Sequence, residues 1–196
     1  MRLPSLPEQA RLLGICGAPG VGKSTLAAAL GHPVVPMDGF HLTDVELSRR
    51  GLLDVKGVPE TFDAAGYAAL LAHVRDGEEH VLAPAYDRKL EQRVAGAIAV
   101  PASGLVVTEG NYLLLGEPRW QAARHQLDVV WHLTLDDDVR RERLVARHQR
   151  SGKSLAEARA WVERVDQPNA VLVEAAAHRA DLVLDLTQWT GGPDRS

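Results

Sequence analysis

Gly17-Ala18-Pro19-Gly20-Val21-Gly22-Lys23-Ser24, followed by Thr25, satisfies every fixed position of the phosphate-binding pattern G-x-x-x-x-G-K-[ST]. The apolar run Leu12-Leu13-Gly14-Ile15-Cys16 before it predicts a buried parallel strand, and Leu26-Ala27-Ala28-Ala29-Leu30 after it predicts a helix. Strand, glycine loop and helix in that order are the context the pattern requires. Glycine lets the backbone curl until its N–H groups converge on phosphate oxygens, and the helix N-terminus adds a favourable dipole. Residues 17–25 are therefore the expected nucleotide-binding set. Lys23 is expected to reach the β- and γ-phosphates and the Ser24 hydroxyl to hold Mg²⁺. A second Gly-Lys-Ser, at 152–154, lacks the upstream glycine (Arg147 stands there) and the preceding strand, so it predicts a loop between two helices.

The chain has 196 residues, enough for one α/β domain with a real core. Its 45% hydrophobic and 24% charged content is that of an ordinary globular protein. A net charge of −4 argues against broad capture of nucleic acid. No apolar run approaches the roughly 20 residues that span a bilayer, which argues against a membrane partner. Residues 1–11 read as an extension without a signal-peptide core, and 190–196 as a flexible polar tail. The single cysteine, Cys16, falls in the first predicted strand, and such usage suits the cytoplasm. A homodimer stays open.

Periodicity and punctuation predict strands at 12–17, 34–37, 105–109, 129–135 and 182–186. They predict helices at 23–30, 43–50, 63–76, 118–125, 137–150, 154–165 and 170–177. Asp63 reads as an N-cap, and Ser154 with Glu157 as a capping box. The alternation, with continuous apolar strands, predicts an α/β P-loop NTPase fold over 12–189: a doubly wound, mostly parallel five-stranded sheet with helices on both faces and a helical lid near 140–155. Residues 51–59 and 86–100 interrupt the alternation and read as long loops of the kind that carry substrate binding.

Three further patterns carry chemistry. Asp38, in Pro36-Met37-Asp38-Gly39-Phe40-His41, follows the second strand and so shares the ligand-binding edge of the sheet. A carboxylate there can take a hydroxyl proton or hold Mg²⁺ through water, and it can equally be a turn aspartate before glycine. Glu109, closing the apolar strand Val106-Val107-Thr108, resembles a Walker B acid able to position Mg²⁺ or its water shell, with a loop cap or ion pair as the other reading. Arg140, Arg143 and Arg147 share one helix face that can close over a triphosphate, or can be a solvated face paired with Asp136, Asp137, Asp138 and Glu142. The histidines show no metal-ligand spacing.

Taken in order, the phosphate loop, Asp38-Gly39-Phe40, Lys56-Gly57-x-Pro59-Glu60-Thr61-Phe62-Asp63, Pro84-x-Tyr86 and Glu109-Gly110-Asn111 resemble the superfamily of phosphoribulokinase, uridine kinase and bacterial pantothenate kinase. Within it the chain is similar to the short kinases labelled nucleoside/nucleotide kinase-like or fructose-transport-system kinase. The resemblance runs from about residue 12 to 186. It implies an ATP- and Mg²⁺-dependent kinase acting on a hydroxyl of a small metabolite: a sugar, a nucleoside or a pantothenate-like alcohol. It implies Asp38 as catalytic base, Glu109 near metal and acceptor, and Arg140, Arg143 and Arg147 in a lid over the phosphates. His41, Lys56, Tyr86 and Arg88 fall on the acceptor side, and Asn169 near the adenine. The aromatic-rich acceptor segment of uridine kinases does not align cleanly with this chain, which is also much shorter than the bacterial pantothenate kinases and lacks the material of their pantothenate pocket. The alternative from another class is a nucleotide-dependent switch or ATPase with no acceptor. The absence of Asn-Lys-x-Asp and Leu-Ser-Gly-Gly argues against a GTPase and a transporter ATPase.

Overall fold

The computed structural model describes residues 4–5, 8–87, 92–187 and 189. Its centre is strand β1 (Leu12–Gly17), buried at every position. With β2 (Val34–Pro36), β5 (Val106–Gly110), β6 (Val129–Thr134) and β7 (Leu182–Asp185) it forms a five-stranded parallel sheet in the order β2-β5-β1-β6-β7. Successive side chains of β1 point to opposite faces. Leu12 and Cys16 enter the core that contains Tyr67, Leu71, Trp120 and Val173, whereas Leu13 and Ile15 enter the one that contains Leu26, Trp131 and Leu133. Both faces are covered, which is why β1 and β5 are apolar runs without alternation.

Helix α1 (Lys23–Ala29) packs on the second face; α3 (Ala64–Arg75), α4 (Pro118–Arg124) and α7 (Gln167–Ala175) supply the first. Helices α2 (Asp44–Arg50), α5 (Asp137–Arg150) and α6 (Leu155–Trp161) complete the set. The caps follow the sequence. Asp63 accepts from Gly66 N, and Ser154 and Glu157 form the expected capping box. Thr108 Oγ1 donates to Val35 O at 2.6 Å, so the Tyr67 hydroxyl donates to Thr108 Oγ1, at 2.5 Å; burial thereby leaves no polar atom of this trio unpaired.

Two expectations are corrected. Residues 86–100 are not a loop: β3 (Leu82–Asp87) and β4 (Gln92–Ala99) form an antiparallel hairpin with an irregularity between Ala83 and Ala85. Pro84 sits in that irregularity, where its missing N–H interrupts no ladder. Nor is there a gap before the helix expected at 170. Val162–Asp166 is a π turn that runs from α6 directly into α7, and Pro168, which has no N–H to give the preceding turn, lies just after it. The excursion at 51–59 holds a short 3₁₀ turn, Leu53–Val55, and leads into another, Pro59–Thr61. Among the described residues no helix is long and apolar enough to cross a membrane.

Candidate active site

Parallel register brings the chemistry together. Ile15 stands opposite Glu109 and Pro36 opposite Glu109, so the ends of β1, β2 and β5 are level. The loop after β1, the Met37–Phe40 turn holding Asp38, and Glu109 therefore meet at one sheet edge, where ligands of open α/β sheets sit. A cleft of about 1300 Å³ lies over them, its wall including Lys23, Asp38, His41, Lys56, Glu109 and Arg143.

The loop is tight. Gly20 has φ +83°, and a Cβ there would come within 2.8 Å of Leu144 Cγ, so α5 closes against the loop from outside. Lys23 is almost buried and donates to Gly17 O at 2.9 Å, Ala18 O at 3.1 Å and Asn111 Oδ1 at 2.6 Å. Burial lowers its pKa, with the Glu109 carboxylate opposing that shift. Ser24 Oγ donates to Glu109 Oε1 at 2.9 Å, so the two groups expected near a metal are in contact.

On the opposite wall, His41 Nδ1 lies 2.8 Å from Asp38 O. A carbonyl only accepts, so Nδ1 carries the proton and Nε2 the lone pair in the neutral ring. Burial lowers the His41 pKa, against the pull of Asp38, and keeps that neutral form. The ring packs 4.0 Å from Phe62 and 4.7 Å from Tyr86, centroid to centroid. Lys56 Nζ pairs with Asp44 Oδ1 at 2.7 Å and lies 5.6 Å from the Tyr86 centroid. Asp38, His41, Lys56, Tyr86 and Glu109 are thus gathered along one cleft. Arg88 lies outside the described residues.

One expected ligand-contacting residue, Arg140, is 3% exposed and lies off the cleft wall. Its guanidinium donates to Pro19 O at 3.1 Å and to Asp137 Oδ1 and Gln167 Oε1, supporting the loop from behind. Arg143 and Arg147, one turn and two turns on, do face the cleft. Asn169 lines the cleft, and its Nδ2 donates to Gly57 O at 3.3 Å. Its place in the cleft is therefore set by the turn that carries Lys56.

The sequence reading missed Asn111, which holds Lys23, and Tyr112, whose hydroxyl donates to Gly57 O. It also missed Asp166, which accepts from His148 Nε2 at 2.7 Å and lies 3.8 Å from Arg147 Nη2. Asn111 had a signal, its position two residues after Glu109. The others had none, because their partners are remote in sequence.

An AAA domain family model (AAA_18) matches residues 13–163. A protein named as a candidate uridine kinase in Schizosaccharomyces pombe is 33% identical over 197 residues, covering 90% of this chain and 83% of that protein. A pantothenate kinase of Nocardioides sp. is 33% identical over 143 residues, covering 67% of this chain but 42% of the enzyme. Among solved structures, a candidate fructose transport system kinase from Silicibacter sp. TM1040 superposes with a TM-score of 0.80 at 38% identity, over 93% of each chain.

Proposed function

The chain belongs to the P-loop kinase superfamily that includes the uridine and bacterial pantothenate kinases, and on that premise we propose that it transfers the γ-phosphoryl group of ATP to a hydroxyl of a small metabolite. One observation carries the reading: Lys23, Asp38 and Glu109 sit around a single cleft, at the ends of neighbouring strands. A switch needs the first and last of these; an aspartate facing a walled acceptor space is what phosphoryl transfer to an alcohol adds.

The loop amides and Lys23 hold the β- and γ-phosphates. Asp38 takes the proton of the acceptor hydroxyl as its oxygen bonds to the γ-phosphorus and the bond to the β-phosphate oxygen breaks, leaving ADP. Ser24 and Glu109 offer hard oxygen donors in contact with each other, the chemistry Mg²⁺ prefers; bound there with ATP, the ion would offset charge on the phosphates. Arg143 and Arg147 stabilise the transferring charge, with the lid near residues 140–155 excluding water. His41, Lys56 and Tyr86 line the acceptor wall. Their faces are already engaged with one another, and this hydrogen-bonding wall suits a sugar or polyol better than a stacked base. A pantothenate-like alcohol is the remaining candidate.

The test is ADP release from MgATP screened against sugars, nucleosides and pantothenate, with Lys23→Ala as the blank. One acceptor raising release far above the rate with water alone identifies the substrate. Uniform slow hydrolysis across the panel overturns this reading in favour of a nucleotide-dependent switch.

A further inference from the structure

Two donors from different parts of the chain converge on one backbone oxygen. The Tyr112 hydroxyl and Asn169 Nδ2 both donate to Gly57 O, Asn169 at 3.3 Å. Tyr112 is fully buried and Asn169 is 5% exposed, so neither has water as an easy substitute partner. Gly57 N donates to Thr61 Oγ1 at 3.0 Å, and Thr61 Oγ1 donates to Val58 O at 2.7 Å, which closes the turn on itself. Gly57 takes φ +114°, a conformation that bends the chain sharply beside Lys56. The segment that presents Lys56 to the cleft is thus held from outside, by the end of β5 and by α7.

The same end of α7 also reaches the nucleotide loop. Gln167, two residues before Asn169, accepts from Arg140 Nη2, and Arg140 Nη1 donates to Pro19 O at 3.1 Å. A continuous line of contacts therefore runs from the Pro19 carbonyl through Arg140 and Gln167 into the first turn of α7, and from Asn169 to Gly57. Helix α5 is tied to the base of α7 a second time, by His148 and Asp166. Asp166 ends the π turn, a helical defect of the kind found where helices adjust at functional sites.

Building on the proposed phosphoryl transfer, we propose that Arg140, Gln167 and Asn169 are positioning residues that couple nucleotide binding at residues 17–25 to the order of the acceptor segment 51–63. Phosphates in the loop draw on Arg143 and Arg147 of α5. Arg140, on the same helix, cannot follow without Gln167, and α7 carries Asn169 with it. The acceptor wall is completed once nucleotide is bound, so the acceptor meets a finished site and water does not. Coupling of this kind is an equilibrium property that the two sites must share.

The test is amide hydrogen exchange on the full chain, with and without saturating MgAMP-PNP, for wild type, Asn169→Ala, Gln167→Ala and Tyr112→Phe. In wild type, nucleotide slows exchange at 17–25 and also at 51–63, the latter by about tenfold. In Asn169→Ala and in Gln167→Ala, the slowing at 51–63 falls below about twofold while that at 17–25 persists. Tyr112→Phe keeps the ring and its packing, so it isolates the hydroxyl: exchange at 51–63 rises in the free protein, and a nucleotide-dependent slowing remains through Asn169. Equal slowing at 51–63 in wild type and both α7 variants overturns the coupling and leaves the kinase reading intact. Slowing at 17–25 without any at 51–63 in wild type does the same. No slowing at 17–25 in wild type overturns both.

Discussion

The Lys23 ammonium lies 2.6 Å from Asn111 Oδ1, with the carbonyls of Gly17 and Ala18 taking its remaining protons. In this form of the protein the lysine is satisfied by protein oxygens, three donors on three acceptors. On the proposed reading a nucleotide phosphate replaces part of that set, and Lys23 exchanges neutral partners for anionic ones when ATP binds. The gain from that exchange is larger than for neutral hydrogen bonds, because the Lys23 ammonium is nearly buried.

Replacing Lys23 by alanine removes that exchange. Turnover is expected to fall by about 10²–10³-fold, the effect of losing one charged stabiliser at a transferring group, and ATP affinity should weaken with it. Isothermal titration with MgATP alongside an ADP-release assay checks both; a variant that turns over normally rules out Lys23 as a phosphate ligand.

Asp38→Asn keeps the size of the side chain and loses the base. Turnover should drop by about 10²–10⁴-fold while MgATP binding is retained. Normal turnover would remove Asp38 from the mechanism and leave the water-mediated metal role as its assignment.

His41 gives a pH dependence with a definite sign. Its folded pKa is held below the ordinary 6.5 by burial. As pH falls through 6.5 the unfolded chain takes up a proton that the folded chain resists, so the unfolded state binds more protons and stability declines. Urea unfolding at pH 7.5 and pH 5.5 should show a smaller loss for His41→Gln than for wild type. Identical losses would mean that the buried ring is protonated without penalty.

Gly39 backs directly onto the hairpin: a Cβ there would overlap the Pro84 carbonyl. Gly39→Ala must push β3 away from the turn that holds Asp38, costing about 1–3 kcal/mol as overpacking does. Chemical unfolding measures that loss, and a variant as stable as wild type would show that the hairpin yields freely.

The sheet was readable because β1, β5 and β6 are apolar runs bounded by glycine or acid, and the helices because caps such as Asp63 and Ser154 mark their starts. Once parallel pairing is assumed, the loop, Asp38 and Glu109 must share an edge, so the centre of the site was readable too. The hairpin was not. Most of β4 is exposed and carries no alternating apolar face, and β3 contains a proline. Arg140 reads as a ligand residue from its helix face, yet it donates to Pro19 O, 121 residues away, and the bond from Asn169 to Gly57 O spans 112 residues. Periodicity along one helix cannot report a partner on another element.

Strands β3 and β4 pair only with each other in the described sheets, and β3 meets the rest of the domain at β2 and at the Met37–Phe40 turn. The wall bearing Tyr86 is thus mounted on the chassis that carries Lys23, Asp38 and Glu109 without being woven into it. On the proposed reading, what sets the acceptor and what transfers the phosphoryl group meet at one place, the Met37–Phe40 turn on which β3 rests. A hairpin lengthened, shortened or repainted by mutation would retune what the cleft admits, while the level strand ends beneath it go on aligning the same reaction.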